Sequence, residues 1–149
     1  MKKRVLCAAV FMWLLVCGAA FAKVREFKYF TLDVPKGWKI AQKDASVRVR
    51  KEDDSASMIV TIDSLNGRSI DDIAAAESKK LKGSEPEKDD DGDYTFTAND
   101  GKTQVMLSEA GGKFIMLTMN YTDEASAEEL GAIMDSFEMK ESDGDSPAQ

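Results

Sequence analysis

Phe27-Lys-Tyr-Phe-Thr-Leu-Asp-Val-Pro-Lys-Gly-Trp38 reads as a strand, a turn and the opening of a second strand. Apolar, aromatic and β-branched side chains fall on both parities from Phe27 to Val34, which predicts a strand buried over most of its surface. Pro35-Lys36-Gly37 is turn chemistry: proline presets φ, and glycine adopts a conformation that most residues avoid. Trp38 to Ala41 then resumes an extended pattern. Further on, Ser46 to Arg50 alternates, with Val47 and Val49 directed inward and Arg48 and Arg50 outward. Asp53-Asp54-Ser55 turns the chain, and Met58 to Ile62 carries the strongest strand signal of all.

The periodicity then changes. Ser69 is placed to cap a helix running to about Lys82, with Asp71 and Asp72 in its first turn. Ile70, Ile73, Ala74 and Leu81 fall near one face, and Gly83 supplies the stop. Residues 84–93 are polar and acidic, with room for a short edge strand near Glu87. Three strand-like runs follow, Tyr94 to Ala98, Thr103 to Glu109 and Lys113 to Tyr121. The turn residues Asn99-Asp100-Gly101 and Gly111-Gly112 separate them, so an antiparallel meander is expected. Ser126 and Glu129 have capping-box spacing, although Thr122 or Asp123 offers an earlier start. Leu130, Ile133, Met134 and Phe137 trace the apolar stripe of a second helix to about Ser136, and Phe137 to Met139 suits a last short strand. Two helices and many antiparallel-compatible strands make an α+β sandwich, an antiparallel β-sheet packed against both helices.

The chain divides into residues 1–22, a single domain over 23–139 and a polar tail, 140–149, expected to be disordered. Lys2-Lys3-Arg4, an apolar run from Val5 to Val16 and the A-x-A pattern Ala20-Phe21-Ala22 together read as a secretory signal peptide cut after Ala22. This places the protein in the periplasm or outside the cell, with no stable membrane insertion. Leu14-Leu15-Val16-Cys17 offers an alternative exit as a lipoprotein through Cys17, but Val16 stands where that signal takes a small residue. Cys7 and Cys17 both lie in the leader, and the whole sequence has no histidine. Residues 23–149 therefore have neither thiol nor imidazole, and apolar burial rather than disulfides must hold them together. Without the leader's three basic residues, 17 basic face 27 acidic residues, a net charge of −10. That balance opposes nucleic-acid binding.

Phe30-Thr-Leu-Asp-Val-Pro-Lys-Gly-Trp38, a valine-alternating strand, Ile59 to Ile62, a capped helix and a Leu130-to-Phe137 ending with its Ser136-Phe137 pair come in a recognisable order. This order resembles the PsbP-like domain, the α/β/α sandwich shared by photosystem II extrinsic proteins, the nuclear-import factor Mog and small exported bacterial proteins of the DcrB kind. The resemblance covers most of residues 27–139 and implies a non-catalytic binding or assembly factor. It carries no ligand or interface residue onto this chain.

The residues themselves offer few sites. Asp89-Asp90-Asp91-Gly92-Asp93 is the one metal-like motif, and hard oxygen ligands on a glycine turn suit Ca²⁺. Aligned with an EF-hand loop, Glu87, Asp89 and Asp91 take ligand positions, but Ala98 stands where the bidentate glutamate belongs. Asp89, Asp91 and Asp93 thus remain weak metal candidates beside the reading of a solvated turn. Asp33 and Asp63 are the least ordinary carboxylates for a carboxylate-only hydrolase. Serine has no histidine partner and no G-x-S-x-G frame, so no catalytic residue and no cofactor is assigned. Arg48 and Arg50, with Lys51, form a basic stripe suited to an anionic partner. Tyr29, Phe30 and Trp38 suit the core or a ligand pocket, and Met106, Met116 and Met119 suit packing or an adaptable interface. The expectation is a small exported protein that binds or assists another cell-envelope protein, with a small-ligand or Ca²⁺-binding module as the second reading. Neither the partner nor the oligomeric state is encoded legibly.

Overall fold

The computed structural model describes residues 22–141; Ala20, Cys7, Cys17 and the tail beyond Glu141 lie outside the described residues. Among the described residues, ten strands and two helices follow one another: β1 (Ala22–Glu26), β2 (Phe30–Pro35), β3 (Trp38–Lys43), β4 (Ser46–Lys51), β5 (Ala56–Ser64), α1 (Ile70–Lys80), β6 (Glu87–Lys88), β7 (Tyr94–Ala98), β8 (Thr103–Ala110), β9 (Lys113–Tyr121), α2 (Glu124–Asp135) and β10 (Glu138–Met139). All strand pairs are antiparallel. They form a small sheet ordered β1-β2-β10 and a seven-stranded sheet ordered β3-β4-β5-β9-β8-β7-β6. The α+β fold expected from the pattern is the one present.

Pairing register sorts the large sheet's side chains. Val49 lies opposite Met58, Met58 opposite Met119, and Val60 opposite Leu117, so these share one face. On that face they form a core with Phe30, Leu32 and Val34 of the small sheet and with Leu130 and Ile133 of α2. The opposite face carries Phe96, Val105, Leu107 and Phe114, covered by Ile70, Ile73 and Ala74 of α1. α2 packs on β2, β5 and β9, whereas α1 packs on β7 and β8. The helices thus cover opposite faces at opposite ends of one sheet.

Several local readings need correction. β1 lacks the sequence pattern of a strand, because Ala22-Lys-Val-Arg-Glu26 is charged and Val24 stays 61% exposed; it exists as an edge strand paired to β2. Phe27 to Tyr29 are the bend between these strands, and β2 starts at Phe30, against which Phe27 stacks with ring centroids 4.7 Å apart. Leu81 is exposed; Ser78 takes its place on the buried face and donates to the Ser84 carbonyl at 2.6 Å. α2 takes the earlier of its expected starts: Asp123 caps it, accepting from the Ser126 N–H at 2.8 Å. Glu129, released from the expected capping box, accepts from Trp38 Nε1 at 3.2 Å and Lys51 Nζ at 2.9 Å. This clasp ties the Pro35–Trp38 turn and the end of β4 to α2.

The stop of α1 is also displaced. Ser69 caps its start, accepting from the Asp72 N–H at 3.1 Å. At its end the left-handed residue is Lys82, with φ of 52°, while Gly83 donates to the Ser78 carbonyl at 2.8 Å. These bonds form a Schellman motif with lysine where glycine is usual. Gly83 serves closeness instead: a Cβ there would sit 2.7 Å from the Thr97 carbonyl oxygen. Lys82→Gly should therefore stabilise the domain by about 0.5–1 kcal/mol by relieving left-handed strain. Gly83→Ala should cost about 1–3 kcal/mol through overpacking. Urea midpoints of the two variants check both signs; a stabilising Gly83→Ala would contradict the close approach.

Candidate functional site

Each face of the large sheet is covered over only part of its width, and the uncovered parts differ in chemistry. Over β3, β4 and β5, the face away from α2 presents Lys39, Ala41 and Lys43, then Arg48 and Arg50, then Ser57, Ile59 and Thr61. Lys39, Lys43, Arg48 and Arg50 are all exposed. Over β8 and β7, the open part of the other face presents Gln104, Thr95 and Thr97, all neutral. Together with Ser84 and Glu87 they border a shallow cavity of about 520 Å³.

Alternation along β4 fixes the sign of the first surface. Val47 and Val49 are buried, so Arg48 and Arg50 must point away from the core, as read from the sequence. Lys51 has the other parity and turns inward to Glu129, so it does not join Arg48 and Arg50 in a basic stripe as the sequence suggests. The register replaces it with two cations: Lys39 lies directly opposite Arg50, and Lys43 opposite Ser46. Like charges placed directly across a ladder destabilise a sheet, so Lys39 and Arg50 repel. Arg50 has one relief, Asp54 at 3.2 Å, on an exposed pair of small energetic weight. Lys39, Lys43 and Arg48 form no ion pair among the described residues. Four cations therefore sit together on a domain of strongly negative net charge.

The other candidates take part in local structure. Asp89 Oδ1 accepts from the N–H groups of Asp91 and Asp93, both at 2.9 Å, which closes the Gly92 turn. Beyond that turn the chain enters β7 directly, where Ala98 is buried. No group of three or more Asp, Glu, His or Cys side chains is arranged to hold a metal among the described residues. Asp33 lies on β2 and Asp63 on β5, in separate sheets. The Asp33 N–H donates to Ser136 Oγ at 2.8 Å, and exposed Asp63 accepts from the Ser64 N–H at 2.8 Å. Phe30 and Trp38 are core residues, as is Met119, whereas Tyr29, Met106 and Met116 are half-buried against the two cores.

Among the described residues three carboxylates are perturbed, all downward. Asp53 is held low by the Ser55 hydroxyl and backbone N–H, Asp71 by the Tyr94 hydroxyl and Lys88, and Asp123 by the Ser126 backbone and hydroxyl groups. Each stabilises the fold above the unfolded carboxylate value of about 3.9 and loses that contribution as pH falls through its lower folded value. With no histidine, no side chain of ordinary pKa titrates between about pH 5 and 8.

The chain matches no protein-family description and no curated protein sequence. Among solved structures it is similar to cyanobacterial PsbP (CyanoP) from Synechocystis sp. PCC 6803. That likeness is 12% identical with a TM-score of 0.53, over 83% of this chain and 95% of that one. A crystal structure from Bacteroides thetaiotaomicron VPI-5482 is also 12% identical, with a TM-score of 0.49 over 87% of this chain. The match covers 52% of that protein, so the chain spans about half its length. The likeness to CyanoP gives the architecture a description, a PsbP-like α+β fold, and at this identity it concerns the fold alone.

Melting temperature should stay nearly flat from about pH 5 to 8 and fall below about pH 4, and Asp71→Asn should shallow that acid limb. A steep transition near pH 6.5 would contradict the assignment to carboxylates.

Proposed function

We propose that this is a small exported, non-catalytic protein that binds or assists another protein of the cell envelope through the open basic part of its large sheet. The observation that carries the reading is the gathering of Lys39, Lys43, Arg48 and Arg50 on an uncovered face, partly against the energetic preference of the ladder. A partner with an acidic surface removes that repulsion and gains steering from the same charges. The leader-like residues 1–22, ending in Ala20-Phe21-Ala22, support export to the periplasm or beyond. The lack of thiol and imidazole in residues 23–149 supports a role without catalysis. The PsbP-like fold supports placing the chain beside the small exported proteins of the DcrB kind.

Affinity capture from envelope extract tests the reading when done in parallel with two variants of residues 23–149. Arg48→Glu/Arg50→Glu should lose the captured protein, while Lys79→Glu/Lys80→Glu, at the end of α1, should retain it. Raising salt should weaken capture by the unmodified domain. Identical capture by the domain and the Arg48/Arg50 variant would overturn the assignment of this surface.

A further inference from the structure

A second group of cations stands where the bend between β1 and β2 meets the β8–β9 turn. Lys28 belongs to the bend between β1 and β2, Lys113 opens β9 after the Gly111-Gly112 turn, and Lys140 follows β10. The three come from distant parts of the sequence and line one cleft of about 630 Å³, together with Tyr29. That volume lies within the range of small-ligand sites, roughly 300–1,000 Å³.

The cleft is built by defined contacts. The Lys140 N–H donates to the Tyr29 carbonyl at 2.8 Å, which pins the end of β10 beside the bend. Lys28 Nζ and Lys113 Nζ stand 4.9 and 5.0 Å from the centre of the same Tyr29 ring. Their charges are therefore within about one Debye length of each other, ~10 Å at 0.1 M salt. Gly111 and Gly112 turn with positive φ, and a Cβ on either would meet nothing within 4 Å, so this side of the cleft lies open.

Lys28 and Lys113 form no ion pair among the described residues. Lys140 reaches Glu26 at 3.7 Å, but the Glu26 side chain is 76% exposed. Glu141 lines the cleft, and Asp63 acts on Tyr29 from nearby. Hydrogen bonding with Lys28, and then the charges of Lys113 and Lys28, pull Tyr29 below the ordinary tyrosine range against the opposing effects of desolvation and Asp63.

We propose that this cleft binds a phosphate-bearing ligand, held by the ammonium groups of Lys28, Lys113 and Lys140 beside the Tyr29 ring. The cations are lysines alone. Lysine binds phosphate as a movable point charge, without the planar fork by which arginine pairs carboxylate and phosphate alike. Such a group occurs on small soluble phosphate esters and on phospholipid headgroups. The site is independent of the Arg48 and Arg50 surface and stands or falls without it.

The test uses residues 23–149 with two probes: glycerol 3-phosphate followed by amide chemical shifts, and flotation with phosphatidylglycerol or phosphatidylcholine vesicles. The expected result is saturable shifts centred on residues 28–29, 111–113 and 140, weakened at least tenfold in Lys28→Ala/Lys113→Ala. Flotation restricted to phosphatidylglycerol, and lost in the same variant, would assign the ligand to a headgroup and equally support the site. Arg48→Glu/Arg50→Glu should bind as the unmodified domain does, and circular dichroism should show both variants folded. Absence of binding to either probe, or equal binding by the folded Lys28/Lys113 variant, would overturn the proposal.

Discussion

β9 is the strand on which both cores depend. Ile115, Leu117 and Met119 point to one face and join the core under α2 and the small sheet, while Phe114 and Met116 point to the other and join the core under α1. A one-residue shift would exchange the two sets and carry Thr118 and Asn120 to the face under α2. Pairing with β5 on one side and β8 on the other fixes this register along the length of β9. The two covers then divide the sheet between them: α2 and β2 take one end of one face, and α1 takes the other end of the opposite face.

This division creates the surfaces available for recognition. Covering each face at one end leaves two diagonal open areas, and the polar parity of the bordering strands decides what they display. Beyond β5 that parity carries Lys39, Lys43, Arg48 and Arg50, and beyond β9 it carries Thr95, Thr97 and Gln104. Trp38, Glu129 and Lys51 hold the first region in place, since their clasp fastens β3 and β4 to α2 without occupying the outer face. The lysine cleft arises differently, where the ends of the small sheet meet the β8–β9 turn. The two cationic sites are thus separate products of one packing scheme.

Much of this was legible from local pattern. The alternation of Val47 and Val49, the Met58–Ile62 run and the Gly111-Gly112 turn encode their elements by spacing alone, and the structure follows them. What was not legible depends on partners distant in sequence. β1 has a strand's geometry but not its composition, since β2 supplies its pairing. Lys39 and Lys43 join Arg48 and Arg50 only once register sets β3 beside β4, and the same register diverts Lys51 to Glu129. Lys28, Lys113 and Lys140 carried no common signal, because nothing in local spacing marks three distant residues as neighbours. Lys82 took the left-handed position predicted for Gly83 because Gly83 was needed against Thr97, a contact invisible before β7 was placed.

The dependence of both cores on β9 is best tested by urea unfolding of residues 23–149, followed at once by Trp38 fluorescence and far-UV circular dichroism. Trp38 is the only tryptophan in that segment and belongs to the core beneath α2. Leu107, fully buried, belongs to the other core. The account predicts coincident transitions by both probes and a Leu107→Ala variant whose two midpoints fall together, by about 2–5 kcal/mol of stability. A Leu107→Ala variant in which Trp38 still unfolds at the original urea concentration, while the dichroism transition splits, would show that β9 does not unite the two cores.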